Sequence, residues 1–167
     1  IDTKHNSGFL LSVPRDLWVQ IPGDGHAKIN ATYVVGEQED FSQAGYPDGG
    51  MGLLEELLSE DLGINIDYYA LINYSALKEA VDAVGGINFT VKSSDRRGLY
   101  DPSIDYSTHG PLVKLTNGTH LLNGQQALDL ARARGDAYGA YGFAGSDFER
   151  TQNQRQMLIA LKNKITS

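Results

Sequence analysis

The chain has no cysteine. Disulfides, thiolate nucleophiles and cysteine-based metal sites are excluded, and the redox character of its compartment is left open. No apolar run approaches the roughly 18 residues of a membrane span, and no signal-peptide pattern is present. Basic residues are scarce, 14 Lys and Arg against 21 Asp and Glu, for a formal net charge of −7. A generic nucleic-acid surface needs a basic face, so this balance argues against binding of that kind. His5, His26, His109 and His120 are isolated, without the paired spacing of a metal site. There is no Gly-x-Ser-x-Gly elbow and no Walker-type glycine loop. Internal repeats and low-complexity segments are absent. What remains is a chain of 167 residues, enough for one domain with a real core. It opens on Ile1-Asp2-Thr3-Lys4 without a starting Met, as an excised domain would.

The most informative stretch runs from Asn123 to Lys164. It holds a short helix, Arg132-x-Arg134, a Gly/Ala/Tyr loop and an amphipathic helix. The loop, Gly135 to Gly145, reads as long and flexible. Ser146 with Glu149 forms a Ser-x-x-Glu capping box that starts the last helix at Asp147. A turn of about 100° per residue places Asp147, Arg150 and Gln154 on one face, continued by Met157, Leu158, Leu161 and Ile165. A face that is polar at its N-terminal end and apolar beyond suggests a core interface that opens into a pocket. The first turn offers free N–H groups and the positive end of the helix dipole. Arg132 and Arg134, if extended, point to one side. Three arginines converging there suit a phosphate or diphosphate. The bland reading is an exposed Asp147–Arg150 ion pair and two solvated arginines.

Earlier in the chain, Gly8–Val13 reads as a buried strand and Leu17–Ile21 as an alternating one, with a turn at Pro22–Gly25. Residues 26–33 read as a loop entering a short helix. Arg15 sits at a strand end, where ligands tend to bind, and is a candidate fourth arginine; pairing with Asp16 is the structural alternative. Lys28 is a supporting cation or a solvated side chain. Residues 36–49 read as a loop, Gly50–Asp61 as a helix stopped at Gly63, and Ile66–Ile72 as a strand. A helix capped by Ser75 and ended by Gly85 precedes a strand at Ile87–Val91. Residues 93–120 read as a long loop with one strand near Leu112–Leu115, and Arg96 and Arg97 as part of a groove wall or a solvated turn. The strand–helix–strand order gives an α/β fold, layered α-β-α, with a central mixed sheet flanked by helices.

Phosphoryl transfer asks little covalent chemistry of a protein. It asks for charge neutralisation and an aligned nucleophile. The arginines supply the first; Asp147 could orient Arg150, accept a proton or bind a divalent ion, and Gln154 could orient an oxygen. Several segments together resemble the LytR-CpsA-Psr family over nearly the whole chain. They are Ser12-Val13-Pro14-Arg15-Asp16, Ile21-Pro22-Gly23, Lys28-Ile29-Asn30, Asp82–Ile87, Leu122–Leu128, Arg132-x-Arg134 and Asp147-Phe148-x-Arg150-x-x-x-Gln154. The resemblance implies an extracytoplasmic enzyme, held by an N-terminal membrane anchor outside this sequence. Its upstream acid-bearing segment, which helps bind the metal, also lies before residue 1. Such an enzyme moves a glycopolymer, as a glycan phosphate, from a polyprenyl-diphosphate carrier to a peptidoglycan muramic acid hydroxyl or to a protein. It makes a phosphodiester with the help of Mg2+, and the isoprenoid tail lies in an apolar tunnel. By matching positions, Arg15, Arg132, Arg134 and Arg150 hold the diphosphate and Asp147 and Gln154 support it. Asp16, Lys28 and Asn30 of the first signature, with Arg155 beside the Asn153 that replaces a frequent arginine, complete the substrate-binding set. The last helix is similar to that of actinobacterial members. Two other readings stand beside this one: a non-catalytic module for lipid diphosphate or anionic glycans, and a hydrolase of the same pyrophosphate bond.

Overall fold

A computed structural model describes residues 8, 10–38, 49–104, 113–143 and 147–166, with Asp147 described by its backbone alone. The chain forms two compact units, Val13–Leu71 and Ile72–Ser167 with Ile1–Ser12.

In the first unit, β1 (Trp18–Ile21) and β2 (Gly25–Lys28) pair antiparallel, from Trp18 opposite Lys28 to Ile21 opposite Gly25. Residues 26–28, read as loop, belong to the second strand. Two helices follow, α1 (Ile29–Gln38) and α2 (Gly50–Leu62). Val19, Ile21, Ile29, Leu53 and Leu57 are buried together and form this unit's core. The two helices touch backbone to backbone at glycines. A Cβ on Gly36 would strike Gly50, and one on Gly50 would strike the Tyr33 carbonyl. Only glycine allows that approach. Gly63 ends α2 in the left-handed conformation, as its sequence position foretold.

The second unit carries α3 (Tyr74–Ala83), β3 (Ile87–Val91), β4 (Leu99–Asp101), β5 (Val113–Leu115), β6 (Gly118–Leu122), α4 (Gly124–Arg132) and α5 (Asp147–Ile165). β3 pairs with β6 and β4 with β5, both antiparallel. Along β3 the side chains alternate, Ile87, Phe89 and Val91 buried, Asn88 and Thr90 exposed. The buried face packs with Val81, Leu122, Leu130 and Met157 into one core, and α5 lies against both α4 and β3. The class is α/β, helices layered on sheet; the described strands pair as three antiparallel ladders.

Some local expectations fail for physical reasons. Residues 64–73 form no strand, and Tyr68, Leu71 and Ile72 are exposed. A β-rich sequence becomes a strand only with a partner, and no described strand pairs with it. The same holds for residues 10–13, where Leu10 and Leu11 are exposed. α3 is capped by Asn73 rather than Ser75: the Asn73 side-chain oxygen, Oδ1, accepts the Ala76 N–H at 2.8 Å. The proposed cap at Ser146 lies outside the described residues. A capping box does occur one helix earlier, where Asn123 accepts the Gln126 N–H at 2.9 Å and Gln126 accepts the Asn123 N–H at 3.0 Å. Replacing Asn123 with Ala is expected to cost about 1 kcal/mol, read as a fall of about 2–4 °C in a thermal melt.

Candidate functional site

Within the second unit a cavity of about 510 Å³ opens between α3, α4 and α5. Its apolar wall is Ile72, Leu77, Leu128, Ala131, Met157 and Leu158. Its polar side holds three guanidinium-bearing residues, Arg132, Arg134 and Arg150, with Gln154. The middle of the stripe read on α5 is borne out: Arg150 and Gln154 give way to Met157 and Leu158 along one face of the cavity, while Ile165 at its far end is exposed.

Local structure explains why both arginines of the Arg-x-Arg pair face this space. Arg132 is the last residue of α4, where a cation suits the negative helix end. Ala133 then turns to an extended conformation and is fully buried, so its side chain anchors the chain between its two cationic neighbours. The Arg132 guanidinium lies 5.3 Å from the Tyr74 ring centre. Such a stack holds a flexible side chain at a cost to its freedom, for about 0.5–1 kcal/mol. Gln154 reaches across from α5 and donates to the Ala131 carbonyl at 2.9 Å, meeting one of the orphan carbonyls at the end of α4. The amide thus ties together the two helices that carry the arginines.

The connection after Arg134 is fastened rather than flexible over its described part. Asp101, at the end of β4 and 0% exposed, accepts four hydrogen bonds. Ser103 gives its N–H at 2.9 Å and its hydroxyl at 2.6 Å to one oxygen. The N–H groups of Arg134 and Gly135 reach the other at 3.0 and 2.9 Å. Gly135 has φ +69°, and a Cβ there would collide with Phe143, so glycine is required. Further on, Tyr100 and Tyr141 exchange backbone hydrogen bonds at 3.0 Å each, and the Ser93 hydroxyl donates to the Gly142 carbonyl at 2.8 Å. The Tyr141 ring stacks on Tyr100 with centres 5.2 Å apart, and the Arg97 guanidinium covers it at 3.9 Å. Arg97 in turn binds Asp95 through two side-chain contacts of 3.1 and 2.8 Å. That side-chain pairing, with the Arg97 N–H, holds the Asp95 carboxyl down at about 2.

Burial by itself would raise the Asp101 carboxyl. The hydrogen bonds from Ser103, Gly135 and Arg134 outweigh it and leave it below the usual carboxylate range. A carboxyl lowered on folding adds stability above its unfolded value, and that stability is lost as pH falls through the folded value. Melting temperature is thus expected to fall below roughly pH 4, with that acid-side slope reduced in Asp101→Asn.

The remaining expected site residues fall as follows. In the first unit, Asp16 lies 3.9 Å from Arg15 and 3.2 Å from Lys28, so the carboxylate sits between two exposed cations. The Asn30 N–H donates to the Arg15 carbonyl at 3.3 Å, which fixes this segment to the start of α1. Arg155 is half-buried on α5. Asn153, at the position where a further arginine was sought, is 6% exposed and lines a separate small hollow beside Phe89 and Gln156. Asp147 is the first residue of α5, one turn before Arg150, and its side chain is outside the described set. Sequence reasoning missed Asp101 and Tyr74. Asp101 stood in an Asp-Pro turn inside what read as a structureless loop, with no pattern linking it to Arg134.

For a divalent metal, the described residues contain no group of three or more His, Asp or Glu side chains able to hold one. Both Asp101 oxygens already face N–H and O–H donors. Asp101 is therefore engaged by protein donors rather than open to a cation.

The chain belongs to the LytR_cpsA_psr family, whose model matches residues 1–167. It is 32% identical over 164 residues to the polyisoprenyl-teichoic acid–peptidoglycan teichoic acid transferase TagT of Bacillus subtilis, covering 98% of this chain and 43% of that protein. It is 33% identical over 158 residues to the probable cell wall biosynthesis protein LcpB of Corynebacterium glutamicum, covering 95% of this chain and 31% of that one. The structure of the family protein YwtF (TagT) with bound octaprenyl pyrophosphate lipid aligns with a TM-score of 0.67 at 30% identity, over 93% of this chain and 52% of that chain. The chain thus spans about half or less of the length of these relatives.

Proposed function

We propose that this chain is the phosphotransferase domain of a glycopolymer ligase. It takes a glycan phosphate from a polyprenyl-diphosphate carrier and joins it to a cell-wall acceptor, a peptidoglycan muramic acid hydroxyl or a protein. The observation that carries this reading is the cavity in which Arg132, Arg134 and Arg150 meet an apolar wall. A lipid-linked diphosphate is anionic at its head and apolar in its tail, and the cavity presents both complements. TagT, named above as a teichoic acid transferase and again with a bound octaprenyl pyrophosphate lipid, supports the same choice.

In the reaction the acceptor hydroxyl oxygen attacks the phosphorus on the glycan side of the diphosphate. The new phosphodiester P–O bond forms, the bond from that phosphorus to the bridging oxygen breaks, and polyprenyl phosphate leaves with that oxygen. The hydroxyl proton passes to solvent or to a base. Guanidinium groups favour this step by neutralising the equatorial oxygens and the leaving phosphate, in a fixed geometry that needs no reorganisation. Arg15 belongs with the diphosphate-holding arginines of the proposal, and Asp16, Lys28, Asn30 and Arg155 form its substrate-binding set. Mg2+ dependence also belongs to the proposal, and the steps above use only this chain's guanidinium groups. The protein so placed works outside the cytoplasm, held at the membrane. No helix among the described residues is long and apolar enough to cross one.

A binding-only module is the second reading. It draws on the cavity lining, in which no carboxylate stands among the described residues. Incubation with a polyprenyl-diphosphate-linked glycan, peptidoglycan fragments and magnesium separates the two. Acceptor-dependent release of polyprenyl phosphate supports transfer. Binding with no release supports the module, and release without acceptor identifies a pyrophosphatase. Repeating the assay with EDTA tests the metal.

A further inference from the structure

We propose that Asp101 is a positioning residue for the phosphate-binding arginines, acting through the backbone of Arg134 and Gly135. The inference deepens the function proposed above and rests on it for the identity of the ligand.

Its two oxygens do different work. One accepts from Ser103, two residues on, and closes the local turn after β4. The other accepts from Arg134 and Gly135, which are 33 and 34 residues away. Two successive backbone N–H groups aimed at one oxygen form a concavity suited to an anion. Here the protein fills that concavity with its own buried carboxylate. The residue is 0% exposed, so it meets neither solvent nor the cavity. Asp101 is not among the residues lining the cavity; Arg134, whose N–H it holds, is.

The consequence is geometric. Ala133 is pinned by burial and Gly135 by its left-handed φ, and the carboxylate fixes the peptide groups on either side of the Arg134 Cα. The direction in which the Arg134 side chain leaves the backbone is thereby set before any ligand arrives. Arg132 reaches the same cavity from the helix end and is steadied separately, by Tyr74. Removing the Asp101 oxygen that faces Arg134 frees one of the cavity's arginines without touching the cavity.

Two substitutions divide the oxygens. Asp101→Ser can still accept from the Ser103 N–H but is too short for the far pair. Asp101→Asn can keep its single carbonyl oxygen on Arg134 and Gly135 and donate from its NH2 to the Ser103 hydroxyl oxygen; the Ser103 N–H loses its acceptor, a cost confined to the turn after β4. Titration calorimetry with inorganic pyrophosphate and with geranylgeranyl diphosphate reads the effect, alongside amide hydrogen exchange and thermal melts. In D101S, pyrophosphate Kd is expected to rise about tenfold, as for loss of one well-placed charged contact. The Arg134 and Gly135 amides exchange faster in that variant. D101N is expected to stay within about threefold of wild type. A folded D101S with wild-type Kd, or a D101N as weak as D101S, overturns the assignment. Should D101S not fold, hydrogen-bond scalar couplings from the Arg134 and Gly135 nitrogens to the Asp101 carboxyl carbon are read in the wild-type protein, with the D101N binding constant. Missing couplings, or a D101N about tenfold weaker, reject it. A wild-type protein that binds neither diphosphate sinks the proposed function instead, while couplings and exchange still test what Asp101 holds.

Discussion

Alanine at Arg132 or Arg134 is expected to lower glycan-phosphate transfer about 10²- to 10³-fold, the loss typical when one preorganised donor is removed from a developing anion. Both side chains line the one cavity, and the protein around them is acidic, with a net charge of −7. The local positive potential therefore depends on very few residues. Folding is expected to survive: Arg132 is exposed at the end of α4, and losing its contact with Tyr74 costs about 0.5–1 kcal/mol. Lysine at Arg132 is expected to restore only part of the rate, because an ammonium keeps the charge but cannot match two phosphate oxygens with a planar fork. Polyprenyl phosphate release, measured against substrate concentration, separates kcat from KM. Wild-type kcat/KM in both alanine variants would place the chemistry elsewhere.

Much of the arginine arrangement was legible because it rides on helices. A period of about 3.6 residues fixes which side chains share a face, and Arg150, Gln154, Met157 and Leu158 do share one. Ile87–Val91 was legible as a strand for the matching reason, since its alternation survives as buried Ile87, Phe89 and Val91. The rest depended on partners that a linear reading does not supply. β6 carries Gly118, Thr119 and His120, which lack an apolar alternation, and it exists because β3 offers it a ladder. Residues 66–72 have the better strand composition and form none. Asn73 displaced Ser75 as a cap because the helix begins two residues sooner than the apolar spacing suggested. Asp101 was illegible in a stronger sense. Its partners are backbone N–H groups, which every residue but proline carries, so no side-chain pattern marks the pairing.

Serine at both Ile72 and Leu158 is expected to weaken geranylgeranyl diphosphate binding about 30-fold, while leaving inorganic pyrophosphate within about threefold. The two side chains line the apolar wall and are 55% and 45% exposed, so neither is needed to fill the core. Covering the exposed half of a large aliphatic side chain with a lipid tail is worth about 1 kcal/mol at ~25 cal/mol per Å². Two such losses make about 2 kcal/mol, which is the expected ratio. The diphosphate head feels little, since the guanidinium groups are unaltered and serine is neutral. The contrast between the two ligands is the informative quantity, because a general loosening of α5 would weaken both. Equal weakening would mean that Leu158 supports Arg150 and Gln154 through the helix rather than meeting a tail. No weakening of either would mean that the tail leaves by another route and that this wall is ordinary surface. Salt adds a second axis: raising ionic strength screens the head group and leaves apolar contact intact. The tail's share of the affinity, lost in the double variant, is then expected to persist in the wild-type protein at high salt.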